Sequence, residues 1–227
     1  MGTLTGKSII ERVEYVLSDA DNVRWTEAEL LDWLNSAQRS IVVLKPNASV
    51  SAVNVPLVEG TKQNIGTTYH HLFGVVRNMG AGGATPGPGV RQIERVHLDV
   101  AFADWHMAEY ADSTVQHFFF DEKDPKAFYV FPPQPASTSQ QLECKVGTTP
   151  TALTNVTGTL ALDDIYENAL VDYVLYRAFS KDDDSPANRV RSQAHYSAFL
   201  QELGARSNLD SSYSADKDHL EPSGGAK

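Results

Sequence analysis

The stretch that most constrains this chain is Asp163–Gly204, DDIYENALVDYVLYRAFSKDDDSPANRVRSQAHYSAFLQELG. Its spacing predicts two helices and a turn. Asp164 with Glu167 three residues on has the form of a capping box, which satisfies amides that a first helical turn leaves unpaired. Ile165, Ala169, Tyr173 and Tyr176 then recur at steps of four and three, with Leu170, Val174 and Ala178 beside them, giving a wide apolar stripe of helical period. The charged run Lys181–Asp184 interrupts it. Ser185-Pro186 restarts it, Ser as N-cap and Pro at the first helical position, where a missing N–H costs nothing. Val190, Ala194 and Ala198 continue one line, joined by Tyr196, Phe199, Leu200 and Leu203, and Gly204 suits a C-terminal cap. A helical hairpin with this much apolar face needs partners from elsewhere in the chain.

The beginning of the chain supplies them. Ser8–Leu17 is a short amphipathic helix, with Ile9, Val13 and Val16 or Leu17 on one side. Thr26 with Glu29 forms a second capping box, and Leu30, Leu34, Ala37, Ile41 and Leu44 follow at helical steps. Trp25 precedes the cap, placed to staple onto Leu30, and Pro46 ends the helix.

Between these ends the texture changes. Val50–Val58 alternates as a strand, and Pro56 favours an edge. Gly74–Met79 and Val90–Val96 read as strands joined through GAGGATPGPG (Gly80–Gly89), a flexible hairpin tip. Leu98–Tyr110 has the pattern of a short helix that buries Phe102, Trp105 and Met107. Gln116–Phe120 and Ala127–Phe131 flank the charged turn DEKDPK as a second hairpin, stopped by Pro132, Pro133 and Pro135. Gln141–Gly147 is a further strand, and Thr148–Gly158 a threonine-rich connector.

The expected fold class is α+β: a helical bundle built from the N- and C-terminal helices, with an antiparallel β module inserted between them. The corresponding boundaries are 1–47 with 156–206 for the bundle, 48–155 for the β module and 207–227 for a flexible C-terminal tail, polar and without period. Neither chain end has enough helices to bury its own stripe, so the two ends must share a core.

Composition narrows the function. The net charge is −10, from 19 Lys and Arg against 29 Asp and Glu. Nucleic-acid binders draw most of their affinity from basic patches on phosphate, and the pair Arg189 and Arg191 is a solvated helix face rather than such a patch. No apolar run is long enough for a membrane span, and the charged N-terminus is no signal peptide. Cys144 is the single cysteine, which excludes a disulfide framework and points to a reducing compartment.

The candidates for chemistry are weak. The glycine-rich stretch lacks the Gly-Lys-Ser/Thr ending of a phosphate loop and opens no helix. His70 and His71 are adjacent, so they cannot share a helical face, and no second ligand pair accompanies them. Asp182–Asp184 resembles the start of a calcium loop but lacks its glycine and final glutamate; an acidic turn that caps the next helix is the plainer account. Asp104 beside His106 suggests an acid–base pair for a hydrolase, without a nucleophile motif. Tyr173, Tyr176, Tyr196 and Phe199 read as core or as a subunit interface. No catalytic residue, metal site or cofactor is expected.

Four segments, TEAELLDWLNSAQRSIVVLKP (Thr26–Pro46), YHHLFGVVRNMG (Tyr69–Gly80), FFFDEKDPKAFYVFPP (Phe118–Pro133) and ENALVDYVLYRAFSKD (Glu167–Asp182), together resemble the head-to-tail adaptor proteins of tailed bacteriophages, a group related in role to the tail tubular protein A of short-tailed phages. The resemblance spans about residues 8–204. It implies a non-enzymatic virion protein at the head–tail interface, present in the host cytoplasm during assembly. It further implies a homo-oligomeric ring of about twelve copies under the portal protein, with a downstream tail or nozzle protein below and genomic DNA passing through the channel without specific binding. The portal-docking role would fall on Ala205, Arg206, Ser207, Asn208, Leu209, Asp210 and Tyr213. Gly80, Gly82, Gly83, Pro86, Gly87, Pro88 and Gly89 would form a contact loop toward a neighbouring subunit or the tail. The alternative is a monomeric binding module whose β domain holds a glycan or another small ligand on Trp105, Phe118–Phe120 or Tyr129.

Overall fold

The structure is a computed structural model that describes residues 2–121, 123–182 and 184–212, the side chains of 207–212 excepted. It is an α+β fold with helices at both ends and strands in the middle. The chain divides into two compact units, Met1–Lys45 with Pro150–Lys227, and Pro46–Thr149.

The first unit holds α1 (Gly6–Leu17), α2 (Glu27–Leu44), α4 (Glu167–Lys181) and α5 (Pro186–Ser212). Helix α4 touches each of the other three. That position explains why Ala169, Leu170, Tyr173, Val174, Leu175, Ala178 and Phe179 are all buried: a central helix needs apolar groups over more than one stripe. Helix α2 starts with the full capping box, Thr26 Oγ1 accepting from the Glu29 N–H and Glu29 Oε2 from the Thr26 N–H, both at 3.4 Å. Trp25 is buried over this first turn, and its indole N–H donates to the Ala178 carbonyl at 3.2 Å.

Three local expectations for these helices fail. Asp164 does not cap α4. Asp163 caps a 3-10 turn at Asp164–Tyr166, and α4 begins after it with no side-chain cap. The Asp164 carboxylate turns to the N-terminal arm instead, accepting from the Thr3 and Leu4 amides at 2.6 and 3.0 Å and the Thr3 hydroxyl at 2.7 Å. These donors hold its carboxyl below the ordinary 3.8, the Thr3 contact foremost. On α5 the buried positions are Ser192, Phe199 and Leu203, while Val190 and Ala194 are exposed. The helix is rotated toward a polar seam in which Ser192 meets Ser180 at 2.7 Å and His195 meets Asp172 at 2.8 Å. Gly204 does not end α5, which continues to Ser212. Arg206 holds the added turn, pairing with Glu202 at 3.2 Å and lying over the Tyr166 ring at 5.7 Å. The helix thus runs through 207–212, the first residues of the segment expected as a flexible tail; residues 213–227 lie outside the described residues.

The connector 150–162 is anchored on buried polar groups of α2. Asn35 accepts from the Leu153 N–H at 2.7 Å and donates to its carbonyl at 3.0 Å, and Gln38 accepts from the Ala161 N–H at 3.2 Å. A carboxamide deep in an apolar helix face is stable only with such partners.

The second unit contains two sheets, ordered β1-β7-β3 and β2-β6-β5-β4. The strands are β1 (Val50–Pro56), β2 (Gly60–Asn64), β3 (Tyr69–Ala81), β4 (Arg91–Gln92), β5 (His117–Phe120), β6 (Ala127–Gln134) and β7 (Gln140–Thr148), with α3 (Arg95–Ala101) between β4 and β5. Strand β1 lies at an edge, as Pro56 requires. Leu72, Val75, Leu142, Cys144 and Val146 of one sheet meet Phe118, Phe128 and Val130 of the other in a common core. Burial pushes the Cys144 thiol up to about 12, so it is inert.

Here too the structure departs from expectation. The region Val90–Val96 keeps only two strand residues, because Arg91 and Gln92 pair in parallel with β5 and Arg95 already starts α3. The helix expected at Leu98–Tyr110 is α3 followed by a 3-10 turn at Ala108–Tyr110; Trp105 is buried as expected, but Phe102 and Met107 are exposed. Pro132 and Pro133 do not stop β6, which ends just before Pro135. The strand runs through Pro132 and Pro133 to Gln134, where it meets Gly60 of β2, a strand absent from the sequence reading.

Candidate interaction surfaces

The hairpin β5–β6 shows how the β unit builds its most distinctive surface. Alternation along HFFF and AFYVFPPQ sends Phe118, Phe128 and Val130 into the inter-sheet core. Phe119, Tyr129 and Phe131 face the other side, where Leu98 and Trp105 cover them. Phe119 and Tyr129 are direct cross-strand partners, with rings parallel within 8° and centroids 5.0 Å apart. Trp105 stands edge-on to both, at 5.7 and 6.5 Å, and donates its indole N–H to Asp99 at 2.9 Å. His106 lies against Trp105 at 3.6 Å, its Nδ1 2.8 Å from the Thr61 hydroxyl. These rings line a cavity of about 710 Å³ with a charged rim. Of the residues proposed for a ligand, Trp105, Phe119, Phe120 and Tyr129 come together there, and Phe118 is excluded because it belongs to the core.

The hydrolase reading finds no geometry. His106 bonds Thr61, and no hydrogen bond joins it to Asp104. His70 lies flat over Gly147, where a Cβ would fall 2.3 Å from its ring, and burial lowers its pKa below the usual histidine value. Asp182 is spent on Arg24 and on the Asn188 amide, at 2.6 Å for the latter. Among the described residues no three His, Cys, Asp or Glu side chains gather as metal ligands. No described helix is long and apolar enough to cross a membrane.

The glycine-rich stretch is no free tip. Gly80, Gly82 and Gly83 sit at φ +65° to +75°, the region L side chains avoid. Asn54 donates to the Gly83 carbonyl at 2.8 Å, and the Gly87 amide donates to the Asn78 carbonyl at 2.8 Å. The buried Asn78 side chain donates to the Pro88 and Val115 carbonyls and accepts from the Val115 N–H, at 2.8–2.9 Å. The expected flexibility is thus replaced by a hydrogen-bonded turn. Its pins, Asn54 and Asn78, lie in strands and carry no turn signal of their own.

On the helical unit the tyrosines divide. Tyr173 and Phe199 are buried at the floor, and Tyr176 and Tyr196 more open, of a groove of about 410 Å³ that Arg39, Val43 and Leu44 also line. At the end of α5, Ala205 is exposed and Arg206 is half-buried under its contacts with Glu202 and Tyr166. Ser207–Asp210 are helical in backbone, and Tyr213 lies outside the described residues.

Comparison with protein families identifies the chain. The model of the SU10 adaptor protein matches residues 4–218. The chain belongs to that family. It is a bacteriophage structural adaptor, a virion component of a kind not known as an enzyme. No curated protein matches the chain. The match covers the whole β unit, all of α5 and most of the helical unit of the adaptor.

Proposed function

We propose that this adaptor assembles as a ring of about twelve copies beneath the portal, continues the DNA channel and offers the tail its attachment surface. The family match over residues 4–218 carries this reading. A heterologous ring needs two different faces on each subunit, and a chain with a helical unit and a β unit has them to offer. The net charge of −10 per subunit keeps DNA from adhering to the channel it traverses. Portal contact falls on Ala205–Asp210 and Tyr213, and contact with a neighbour or the tail on the glycine-rich turn Gly80–Gly89.

Mass photometry of the protein alone and with the portal protein of the same phage tests this. A monomer that enters a many-copy ring only with portal supports it; a protein that stays monomeric with portal present sinks it. Truncation after Gly204 should abolish portal binding. A second reading, a monomeric binding module, draws on the aromatic cavity that joins Trp105, Phe119 and Tyr129. It takes the lead if no ring forms.

A further inference from the structure

The ring-lined cavity of the β unit has a rim whose charges do not balance. Glu94, Asp121 and Asp124 stand there against Arg95 and Lys123. Arg95 is already committed to Asp99 at 3.2 Å, which leaves Lys123 as the main counter-charge. Glu94 sits at the N-cap of α3 yet makes no side-chain cap bond. The Asp124 carboxylate has no ion pair or hydrogen bond among the described residues. Beneath the rim lie the half-buried rings of Phe119 and Tyr129, with Trp105 fixed behind them.

We infer that this cavity receives an arginine side chain carried by a partner polypeptide. Aromatic faces attract cations through their quadrupoles, and the carboxylates attract them through charge, Glu94 and Asp124 foremost because Asp121 already accepts from the Lys123 amide at 2.9 Å, so both halves of the lining favour the same ligand. A phosphate-bearing ligand meets three carboxylates. A sugar could stack on the rings and donate to the rim, but it leaves the acidic charges uncompensated. Arginine fits better than lysine because its planar guanidinium stacks on a ring while its fork matches a carboxylate. Exposed contacts of these two kinds each contribute no more than about a factor of five in affinity, so the side chain must arrive on a chain that makes further contacts. The proposal is independent of ring formation.

The test is an amide and indole NMR titration of the full chain with N-acetyl-arginine amide, N-acetyl-citrulline amide (the neutral isostere) and a trimer of N-acetylglucosamine. Arginine should shift the Trp105 indole and the His106, Phe119 and Tyr129 amides, with binding at least about fivefold tighter than citrulline. The exposed double variant Glu94→Gln/Asp124→Asn should lose a comparable factor while its remaining spectrum stays unchanged. Equal binding of citrulline, preferential binding of the sugar, no shift with any probe, or undiminished arginine binding by the double variant would each overturn the assignment.

Discussion

In the helical unit, aside from one backbone bridge at Thr5 and Thr159, segments more than a hundred residues apart are joined by side chains: Asn35 to Leu153, Gln38 to Ala161, Asp164 to Thr3 and Leu4, Lys181 to Glu29 at 2.7 Å. In the β unit, distant segments are joined by backbone ladders, β1 to β7 and β2 to β6. The difference follows from where each element satisfies its own peptide groups. A helix does so internally and needs packing and a few polar clips to find its neighbours; a strand cannot, so its neighbour is part of its definition. One unit should therefore lose stability by separable increments, and the other at the positions that hold its sheets face to face.

The largest effect should come from Phe128→Ala. Phe128 is wholly buried between the sheets, and a truncation of this kind costs about 3–5 kcal/mol. Trp105 reports on the β unit, and Trp25 and Trp33 on the helical unit. Denaturant melts of single-tryptophan versions should show the loss at Trp105 alone. Equal losses at all three reporters would break the comparison, because the chain would then unfold as one body.

Asn78→Ala sharpens it from within the β unit. Here a side chain acts as a helical-unit clip does, and its removal leaves the buried Val115 N–H and carbonyl unpaired, while the Pro88 carbonyl keeps the Asn78 backbone N–H. The expected cost is about 2 kcal/mol. Hydrogen exchange should accelerate at Val115, and at Val90 behind the glycine turn. Unchanged protection would mean that the ladders alone hold that turn.

The asymmetry also governs what could be read from the sequence. Helix α2 was legible because Thr26/Glu29 and the steps Leu30–Leu34–Ala37–Ile41 are local signals that tertiary structure had no reason to override; of the C-terminal pair only the two helices were, their cap, buried face and end being set by distant partners. The β5–β6 hairpin was legible for the same reason, its turn and its alternation being local. Strand β2 (GTKQN) was not: it carries no apolar alternation and exists because Lys62, Gln63 and Asn64 pair with Ala127–Tyr129 of β6. Asn35 and Gln38 were missed because a polar residue on an apolar face looks like an error until its partner in the connector is known. The aromatic cavity was half legible. Its residues stood out by type, but which phenylalanine faced which side depended on register, and one residue of slip exchanges the faces.

A smaller loss is expected in the helical unit from Thr26→Ala. It removes the cap of α2 and should cost about 1 kcal/mol, read as a shift in the Trp25 and Trp33 transition with none at Trp105. A loss at Trp105 would show that a clip in one unit is felt in the other.

The smallest effect carries an informative sign. Gly204 was expected to terminate its helix, and a terminating glycine at positive φ is destabilised by any side chain. In the structure it lies inside α5, two turns before Ser212, and a Cβ placed on it meets nothing within 4 Å. Gly204→Ala should therefore stabilise the protein, by about 0.5–1 kcal/mol, through the greater freedom that glycine loses on entering a helix. Thermal denaturation with helical ellipticity as the probe decides it. A rise in Tm with added helicity would show that α5 continues past Gly204 in solution, so that the segment proposed to meet the portal is presented on a helix. A fall would mean that the helix stops there, that Arg206 does not hold its turn against Tyr166 and Glu202, and that the docking segment reaches its partner as an extended chain.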